Sequence, residues 1–463
     1  MITPRLKNIF LYGSAITTII IGTALLVAIA RGYRYDFLNR RITQTGLVII
    51  DSKPNGATIY VNDYKISQKT PYRIEAANIG EMTIKLQRNG YRDWFRRFTV
   101  RPEEVSFLDY AWLLPTTLDY DQPLPNVKPT RIVQSGDHRK TFYTIKTDTD
   151  ISVWQYLGQS TPQRIYTAPP AVGPNPIKDI DSVQVNTDGS QLQFRLLTDG
   201  DSPTIIKNVG ANESYNIADI FKIKSGSIYL NPNNRNEPLW LDNGRLTRLN
   251  LDGKTISAPL AENVTAVKLK VDKVVYSTVN PETKKTELYF STTSLERSFR
   301  LNLPDETDTG AFMFDYSRFR DTDYVYCLSQ STKKLYIIAD PTSGSARTSV
   351  YGQAVTSFII SPSSRYVMTN NRGRLNTYDF ELGYYYSNDA AKLDDLRDWL
   401  WVDDNHIIAQ TNNAIRLIDY DGYNDQTVSQ SGDTITGIAY QFDTKSVTYR
   451  SDNRFKQVLL LKR

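Results

Sequence analysis

The 463-residue chain contains one cysteine, Cys327, and two histidines, His138 and His406. A single cysteine cannot form an intramolecular disulfide, and so few Cys and His residues cannot build a Cys₄ or Cys₂His₂ zinc site. A Ser-His-Asp triad would need one of the two histidines, and both lie in turn-like strings. A Gly-x-Ser-x-Gly elbow and glycine-rich phosphate loops are also absent. We therefore predict no catalytic residue, no metal site and no cofactor.

Paired carboxylates are the remaining route to catalysis, because many glycosidases use two acids. Turn-like strings, in which carboxylates commonly bind backbone N–H groups, contain the candidate acids Asp148, Asp150, Asp179, Asp181, Asp403 and Asp404. Residues 419–425 also contain several oxygen-bearing side chains that could bind calcium, but they lack the spacing of an EF-hand loop. Turn formation is the favoured interpretation of these acids, and a propeller-type glycan hydrolase is the alternative.

Positive charge is concentrated near the N-terminus. The formal net charge is +5; residues 1–115 hold 16 Lys/Arg and 9 Asp/Glu, and the rest of the chain holds 39 and 41. A nucleic-acid-binding protein would carry a basic stripe on a folded domain. The distribution instead favours contact between the N-terminal part of the chain and an anionic membrane surface. We predict no nucleic-acid partner.

Residues 9–30 form the one long uncharged stretch, 22 residues in length. A helix needs about 20 apolar residues to cross the hydrocarbon core of a bilayer. Tyr33 and Tyr35 follow at the position of an interfacial aromatic belt. The stretch predicts a transmembrane helix at 9–30 with the lipid bilayer as its partner, a tail at 1–8 and a linker at 31–45. Basic residues flank the stretch: Arg5, Lys7, Arg31, Arg34, Arg40 and Arg41.

Two sequence signals give opposite orientations for this helix in the membrane. Two basic residues precede the helix and four follow it, which would place the C-terminal side in the cytoplasm. A short basic N-terminus before a long domain is, however, the layout of an exported signal-anchor protein. Ala28-Ile29-Ala30 has the form of a signal-peptidase site, although the apolar stretch is longer than a usual signal h-region. A cleaved signal peptide therefore stays an alternative to the anchor.

Residues 46–115 alternate strand-like segments with turn residues, which predicts a small β-sandwich. The turns and strand ends match a recurring pattern at Pro54, Asn55, Gly56, Ala57, Tyr60, Asn62, Thr70, Pro71, Gly90 and Tyr91. On these residues the segment resembles the PEGA domain, named for a Pro-Glu-Gly-Ala motif, with Asn55 in place of Glu. The resemblance implies an extracytoplasmic, non-catalytic envelope module beside a membrane span. Because of this resemblance we predict that the domains after the helix lie outside the cytoplasm. An intracellular membrane scaffold is the alternative.

Residues 130–463 repeat a unit of apolar strands and polar turns, after a proline-containing stretch at 116–129 that predicts a linker. The units begin near residues 133, 183, 220, 264, 312, 358, 399 and 438, which are 37 to 50 residues apart. Self-similarity at this period is the sequence signature of a β-propeller. Eight blades are favoured over seven. The turns at 187–189 and 361–363 resemble those of TolB-type and WD40-like propellers.

The predicted fold class is therefore all-β: a transmembrane helix, a PEGA-like sandwich and a propeller. A propeller presents loops on two faces, which suits binding. The function predicted is that of a membrane-anchored envelope scaffold, whose partner is an envelope protein or a cell-wall polymer. The tyrosine run Tyr384, Tyr385 and Tyr386 is a possible ligand platform.

Overall fold

The computed structural model describes residues 4–36, 40–124, 128–158, 161–304, 310–344, 346–452 and 454–461. The chain divides into two compact units, with the boundary between Thr117 and Leu118. Strands predominate in both units, and one long apolar helix lies at the N-terminus. The predicted all-β class is confirmed.

The first helix, α1 (Pro4–Ala30), begins five residues earlier than the predicted span, inside the predicted tail. The window Tyr12–Ile29 has a mean hydropathy of 1.9 and is not buried against other parts of the protein. The hydroxyls of Thr17 and Thr18 donate to backbone carbonyls one turn earlier, so neither needs a partner outside the helix. Length and composition suit a membrane crossing, and a signal sequence near an N-terminus meets the same criteria.

The predicted linker at 31–45 is wrong, because it contains paired strands. Gly32, with φ +77°, accepts hydrogen bonds at its carbonyl from the backbone N–H and hydroxyl of Thr45, at 2.8 and 2.9 Å. A side chain at Gly32 would collide with the Thr45 carbonyl oxygen. The next residues form β1 (Tyr33–Asp36), which pairs antiparallel with the start of β2 (Arg41–Lys53). The chain is therefore hydrogen-bonded to β2 two residues after the end of α1.

Beyond this hairpin, the first unit is a sandwich of two four-stranded sheets. One sheet has β2 at its centre, between β5 and β8, with β1 on its N-terminal part; the other has the order β4-β3-β6-β7. Val48, Ile59, Ile84 and Trp94 are fully buried between them. The remaining strands are β3 (Thr58–Val61), β4 (Tyr64–Lys69), β5 (Tyr72–Asn78), β6 (Gly80–Gln87), β7 (Trp94–Val100) and β8 (Val105–Trp112).

The described part of the second unit contains eight four-stranded antiparallel sheets, called blades 1 to 8 in chain order. Blade 1 comprises β10–β13, and the hairpin β14–β15 follows it. Blades 2, 3 and 4 comprise β16–β19, β20–β23 and β24–β27, and the short helix α2 (Ile217–Phe221) lies between blades 2 and 3. The strands, with the outlying β9, are β9 (Tyr120–Leu124), β10 (Pro129–Gln134), β11 (Thr141–Lys146), β12 (Ile151–Tyr156), β13 (Gln163–Thr167), β14 (Ala171–Val172), β15 (Asn175–Pro176), β16 (Asp179–Val185), β17 (Gln191–Leu197), β18 (Thr204–Asn208), β19 (Ser214–Asn216), β20 (Ser227–Tyr229), β21 (Leu239–Asp242), β22 (Arg245–Asn250), β23 (Thr255–Ile256), β24 (Val264–Lys270), β25 (Lys273–Val279), β26 (Thr286–Thr292) and β27 (Ser298–Leu301).

Blades 5, 6 and 7 comprise β28–β31, β32–β35 and β36–β39, and blade 8 comprises β40–β42 together with β9. Seven of the predicted repeat starts fall within the first strand of a blade, whereas Ile220 falls in α2. A short apolar run does not by itself distinguish a helical turn from a strand. The strands are β28 (Phe312–Phe319), β29 (Thr322–Ser329), β30 (Leu335–Ala339), β31 (Arg347–Tyr351), β32 (Ser357–Ile360), β33 (Tyr366–Asn371), β34 (Arg374–Asp379), β35 (Tyr384–Lys392), β36 (Asp398–Trp401), β37 (His406–Gln410), β38 (Ala414–Asp419), β39 (Gln426–Gln430), β40 (Thr436–Gln441), β41 (Ser446–Ser451) and β42 (Arg454–Leu459).

The blades form a closed ring. Apolar clusters link neighbouring blades from blade 1 to blade 6, and the stacked rings of Tyr366 and Tyr420 link blades 6 and 7. Ser429 and Tyr449 share a hydrogen bond between blades 7 and 8. Blade 8 meets blade 1 where Arg450 Nη1 donates to the Thr130 carbonyl at 2.7 Å. This ring is a β-propeller.

Strand β9 supplies the outermost strand of blade 8 from the beginning of the unit. The predicted linker at 116–129 is therefore wrong at Tyr120–Leu124. An outermost strand is hydrogen-bonded on one side only, so it accommodates Pro123, which lacks an N–H donor. Pairing of the first strand with the last blade joins the two ends of the ring.

Candidate functional site

First strands of several neighbouring blades contact one another, among them β10 with both β40 and β16. The sheets of a propeller are arranged around a central channel. At the end where β40, β10 and β16 begin, blades 8, 1 and 2 enclose a pocket of about 330 Å³. We call it the channel-mouth pocket. Its polar lining residues are Thr130, Arg131, Asp181, Ser182, Thr436 and Arg450.

All three strands are irregular at this point. The pairing register shifts between Pro129 and Arg131 in β10, and between Asp181 and Gln184 in β16. A third shift follows Thr436 in β40. Such bulges bend a strand and redirect its side chains, and they commonly occur next to functional sites. Three bulges at one end of the ring thus shape the channel-mouth pocket.

The charged groups at the pocket form a network around one carboxylate. Arg131 Nη2 and Arg195 Nη2 lie 2.9 and 3.0 Å from the two carboxylate oxygens of Asp181. Arg131 Nε also donates to the Ile180 carbonyl at 3.0 Å. The hydrogen bond from Arg195, with other groups including the Arg131 charge, holds the pKa of Asp181 below its usual range. Two guanidinium groups thus hold one carboxylate, which leaves these three side chains with a net positive charge, and Arg450 also lines the pocket.

The arginine side chains of this network are only partly covered. Those of Arg131 and Arg195 are 44% and 46% exposed. Arg195 also lines a second cavity of about 150 Å³ between blades 2 and 3, where Lys224 lies 3.3 Å from Asp201. Arg195 therefore links the second cavity to Asp181, which lines the channel-mouth pocket. This arrangement can accept an anionic group and extend its contacts along one sector of the face.

The predicted tyrosine platform does not form one surface. Tyr384, Tyr385 and Tyr386 are successive residues of β35, the outermost strand of blade 6, so their side chains alternate between the two sheet faces. Tyr386 packs edge-on against Tyr420 of blade 7, with ring centroids 5.3 Å apart. Tyr385 is 50% exposed, and its neighbours are less so. A single exposed ring thus remains of the predicted three-ring platform.

The PEGA-like motif residues of the small unit build its first turn. The Thr70 hydroxyl lies 2.7 Å from that of Ser52 and accepts the Ala57 N–H at 2.9 Å. The Ser52 hydroxyl also donates to the Pro54 carbonyl, and the Gly56 N–H donates to the Thr70 carbonyl. Thr70 and Ser52 are buried, so these bonds satisfy groups that water does not reach.

The other motif residues form or flank turns in the same way. Asn62 has φ +48° and accepts the Thr83 N–H at its side chain, at 2.8 Å. Gly90 has φ +79°, and the ring of Tyr91 lies 5.4 Å below the Arg88 guanidinium group. Together these bonds give the motif a structural role in the sandwich. The remaining positions are the exposed Asn55 and Pro71 and the half-buried Tyr60.

The candidate carboxylates are used in turns and ion pairs. Asp150 pairs with Arg164 at 3.2 Å, and the Asp179 side chain accepts the N–H of the next residue. Asp404 accepts the Ser363 N–H at 2.8 Å. Within the residues that the structure describes, no three His, Cys, Asp or Glu side chains are arranged to hold a metal ion.

The two histidines differ in their surroundings. His138, with φ +56°, lies in the predicted turn, and burial lowers its pKa. His406 instead begins β37, is 2% exposed, and has Nδ1 2.8 Å from Asp403 Oδ1 and Nε2 3.6 Å from Asp419 Oδ1. Its description as a turn residue was wrong, because the turn ends one residue before it.

No sequence signal identifies the arginines at the channel-mouth pocket. Arg131, Arg195 and Arg450 lie in strands of three blades, and no motif links them. Arg450 and Thr130 are 320 residues apart in the chain and become neighbours only when the ring closes. Isolated arginines in alternating strands are common on exposed faces, so residue type alone could not select these three.

Comparison with known proteins matches residues 45–111 to the PEGA domain model. No curated protein matches the chain. Among solved structures, the Dos1 propeller is 11% identical with a TM-score of 0.45, over 74% of this chain and 95% of its own. An oligogalacturonate lyase from Vibrio parahaemolyticus is 8% identical with a TM-score of 0.41, over 74% of this chain and 97% of its own. Dipeptidyl peptidase 4 of Porphyromonas gingivalis is 11% identical with a TM-score of 0.48, over 71% of this chain and 57% of its own.

The family match covers the first unit beyond α1 and the hairpin, and it agrees with the motif residues and the sandwich fold. The assignment of the second unit as a propeller rests on its strand pairing and on the closure of its ring of blades. Residues 45–111 are therefore a PEGA domain, and this chain joins it to a β-propeller.

Proposed function

We propose that this protein is a membrane-anchored, extracytoplasmic binding protein of the cell envelope. Helix α1 crosses the membrane, and the propeller binds an anionic group of an envelope protein or cell-wall polymer at the channel-mouth pocket. The observation that carries this proposal is the pair of partly exposed arginines, Arg131 and Arg195, that hold the single carboxylate of Asp181 beside a pocket shaped by three bulged strands.

Arginine suits this role because its planar group offers several N–H donors to a carboxylate or phosphate. Arg131 uses two of its donors on Asp181 and Ile180 and is still half exposed. Clefts lined by one sign of charge concentrate the electric field and raise the local concentration of oppositely charged ligands. Anchoring the propeller to the membrane would raise its effective concentration near the envelope further.

The alternative function, glycan hydrolysis by paired acids, is less well supported. A general acid at neutral pH needs a raised pKa, whereas that of Asp181 is lowered. Asp150, Asp179 and Asp404 serve as an ion-pair partner or as acceptors for backbone N–H groups. We therefore favour binding without catalysis.

The test is binding of detergent-solubilised full-length protein to isolated cell envelopes of its source. The double variant Arg131→Gln, Arg195→Gln is expected to bind about 100-fold more weakly, since each hydrogen bond to a charged group contributes about 1.5 to 3 kcal/mol. The control is Arg164→Gln, which removes a half-exposed arginine from the outer strand of blade 1. Polyglutamate should compete with the envelopes for the unmodified protein. Equal binding by the double variant and the control would refute the proposed site.

A further inference from the structure

The hairpin β1–β2 exposes an apolar and aromatic face directly after α1. Tyr33 and Tyr35 lie on the same side of β1, because alternate residues of a strand point the same way. Ile42 is the cross-strand partner of Tyr35. These three side chains are 41%, 51% and 70% exposed. Exposed apolar side chains grouped on one short hairpin indicate a contact surface.

This face is fixed relative to the end of α1. Only Arg31 and Gly32 separate the helix from β1, and the carbonyl of Gly32 is bonded twice to Thr45. Strand β2 then continues without interruption to Lys53, and its residue Val48 is fully buried in the sandwich core. The hairpin therefore belongs to one continuous element that runs from the helix into the PEGA domain.

The charges near this face match an anionic membrane surface. Arg31, Arg34 and Arg40 are all exposed. Juxtamembrane arginines are attracted to anionic lipid headgroups, and tyrosines prefer the interface between headgroups and acyl chains. A surface that begins three residues after a membrane-spanning helix has the bilayer as its nearest extended partner.

We infer that the face formed by Tyr33, Tyr35 and Ile42 is a membrane-interface anchor that binds anionic lipid. The inference rests on the proposed membrane crossing of α1. Ile42 enters the acyl boundary, the two tyrosine rings lie at headgroup level, and Arg31 and Arg40 contact lipid phosphates. Because β2 continues into the sandwich, this contact fixes the orientation of the PEGA domain on the bilayer.

The experiment uses the full-length protein, reconstituted into vesicles of phosphatidylcholine with or without phosphatidylglycerol. An environment-sensitive fluorophore is attached to Ile42→Cys, and in a control to Tyr64→Cys, which lies on the other sheet at a site 80% exposed. The one native cysteine, Cys327, is fully buried, so the unmodified chain provides the labelling blank.

A lipid-borne quencher is expected to reduce the emission at position 42 at least threefold and to leave position 64 unchanged. Adding Arg31→Gln and Arg40→Gln should reduce the quenching at 42 in vesicles with phosphatidylglycerol and leave it unchanged in pure phosphatidylcholine. Equal quenching at 42 and 64, or quenching at 42 that ignores the arginines in anionic vesicles, would overturn the inference. So would a label at 42 that is shielded from water without lipid quenching, which would indicate a protein partner.

An alkaline carbonate wash of the same vesicles separates this inference from the proposed function. If the protein leaves the membrane, the crossing by α1 is refuted, and the proposed function and the inference fail together. If the protein stays in the membrane while the label at 42 is exposed to water, the crossing stands and only the hairpin contact is refuted.

Discussion

The two units of this protein differ in how far apart in the sequence their key interacting residues lie. In the PEGA domain, residues that mark the sequence pattern, such as Gly56 and Thr70, bond to each other at the base of one hairpin, β3–β4. In the propeller, the channel-mouth pocket joins Thr130 to Arg450 from the two ends of the unit. The comparison teaches that a recognisable motif can mark structure, while a pocket can arise from residues that form no motif.

The largest expected effect is on the small unit, whose core lies between two sheets. Trp94 is fully buried there and packs edge-on against Tyr110 at 5.7 Å. Trp94→Ala should destabilise the PEGA domain by about 3 to 5 kcal/mol through lost burial and a cavity. The propeller has its own clusters between blades, so its unfolding transition should stay in place.

Calorimetry and limited proteolysis of the full-length protein would check this, with the neighbouring, partly exposed Phe95→Ala as the control. A single transition that moves as a whole in Trp94→Ala would contradict the separation of the two cores.

The next effect tests whether the motif is structural. Thr70→Val removes the hydroxyl that binds Ser52 and the Ala57 N–H, so the buried Ala57 N–H loses its acceptor. The expected loss is about 1 to 3 kcal/mol of unfolding free energy in the PEGA domain. Thr99→Val, at an exposed site on β7, is the control, and chemical denaturation is the measurement. Unchanged stability together with lost envelope binding would instead make the motif a ligand site.

A smaller loss of stability is expected for substitutions in the tyrosine run, and it distinguishes a packing role from a ligand-binding role. Tyr386→Ala should cost about 1 to 2 kcal/mol, because it removes the ring that packs on Tyr420 between blades 6 and 7. Tyr385→Ala should change stability less, since that ring is half exposed. Thermal unfolding and envelope binding of both variants would check this. A loss of binding confined to Tyr385→Ala would restore one tyrosine of the predicted platform as a ligand contact.

The smallest effect is the pH dependence of the ion pairs of Asp181. The pKa of this carboxyl is lowered in the folded protein, so its contribution to stability is complete above the unfolded value near 3.9 and is lost as the pH falls through the folded value. Asp181→Asn should remove that acid-dependent part, which is under about 1 kcal/mol for a partly exposed pair. Unfolding free energies measured between pH 3 and 7 would show it, with Asp199→Asn, an exposed pair with Lys178, as the control. An identical pH profile in Asp181→Asn and the unmodified protein would contradict the assignment.

Much of the fold could be predicted because its signals are local. The turn at Pro54–Ala57 and the recurring strands after residue 130 each appear within a short window of sequence. The pairing of β1 with the start of β2 was missed because the sequence there has no apolar alternation long enough to identify strands beside a membrane helix. Strand β9 was missed because its pairing partner, β42, lies more than 300 residues away.

The sequence by itself determined the membrane-helix candidate, the PEGA-like sandwich and the propeller class, since uncharged length, turn chemistry and repeat period are all local properties. Only the tertiary structure decided that β9 completes blade 8, that Tyr386 packs between blades, and that Arg131, Arg195 and Asp181 meet at one pocket. The physical reason is that the pairing of β9 with β42, the packing of Tyr386 on Tyr420 and the ion pair of Arg131 with Asp181 each join separate blades or the two ends of the unit. A short window of sequence contains only one strand or hairpin at a time.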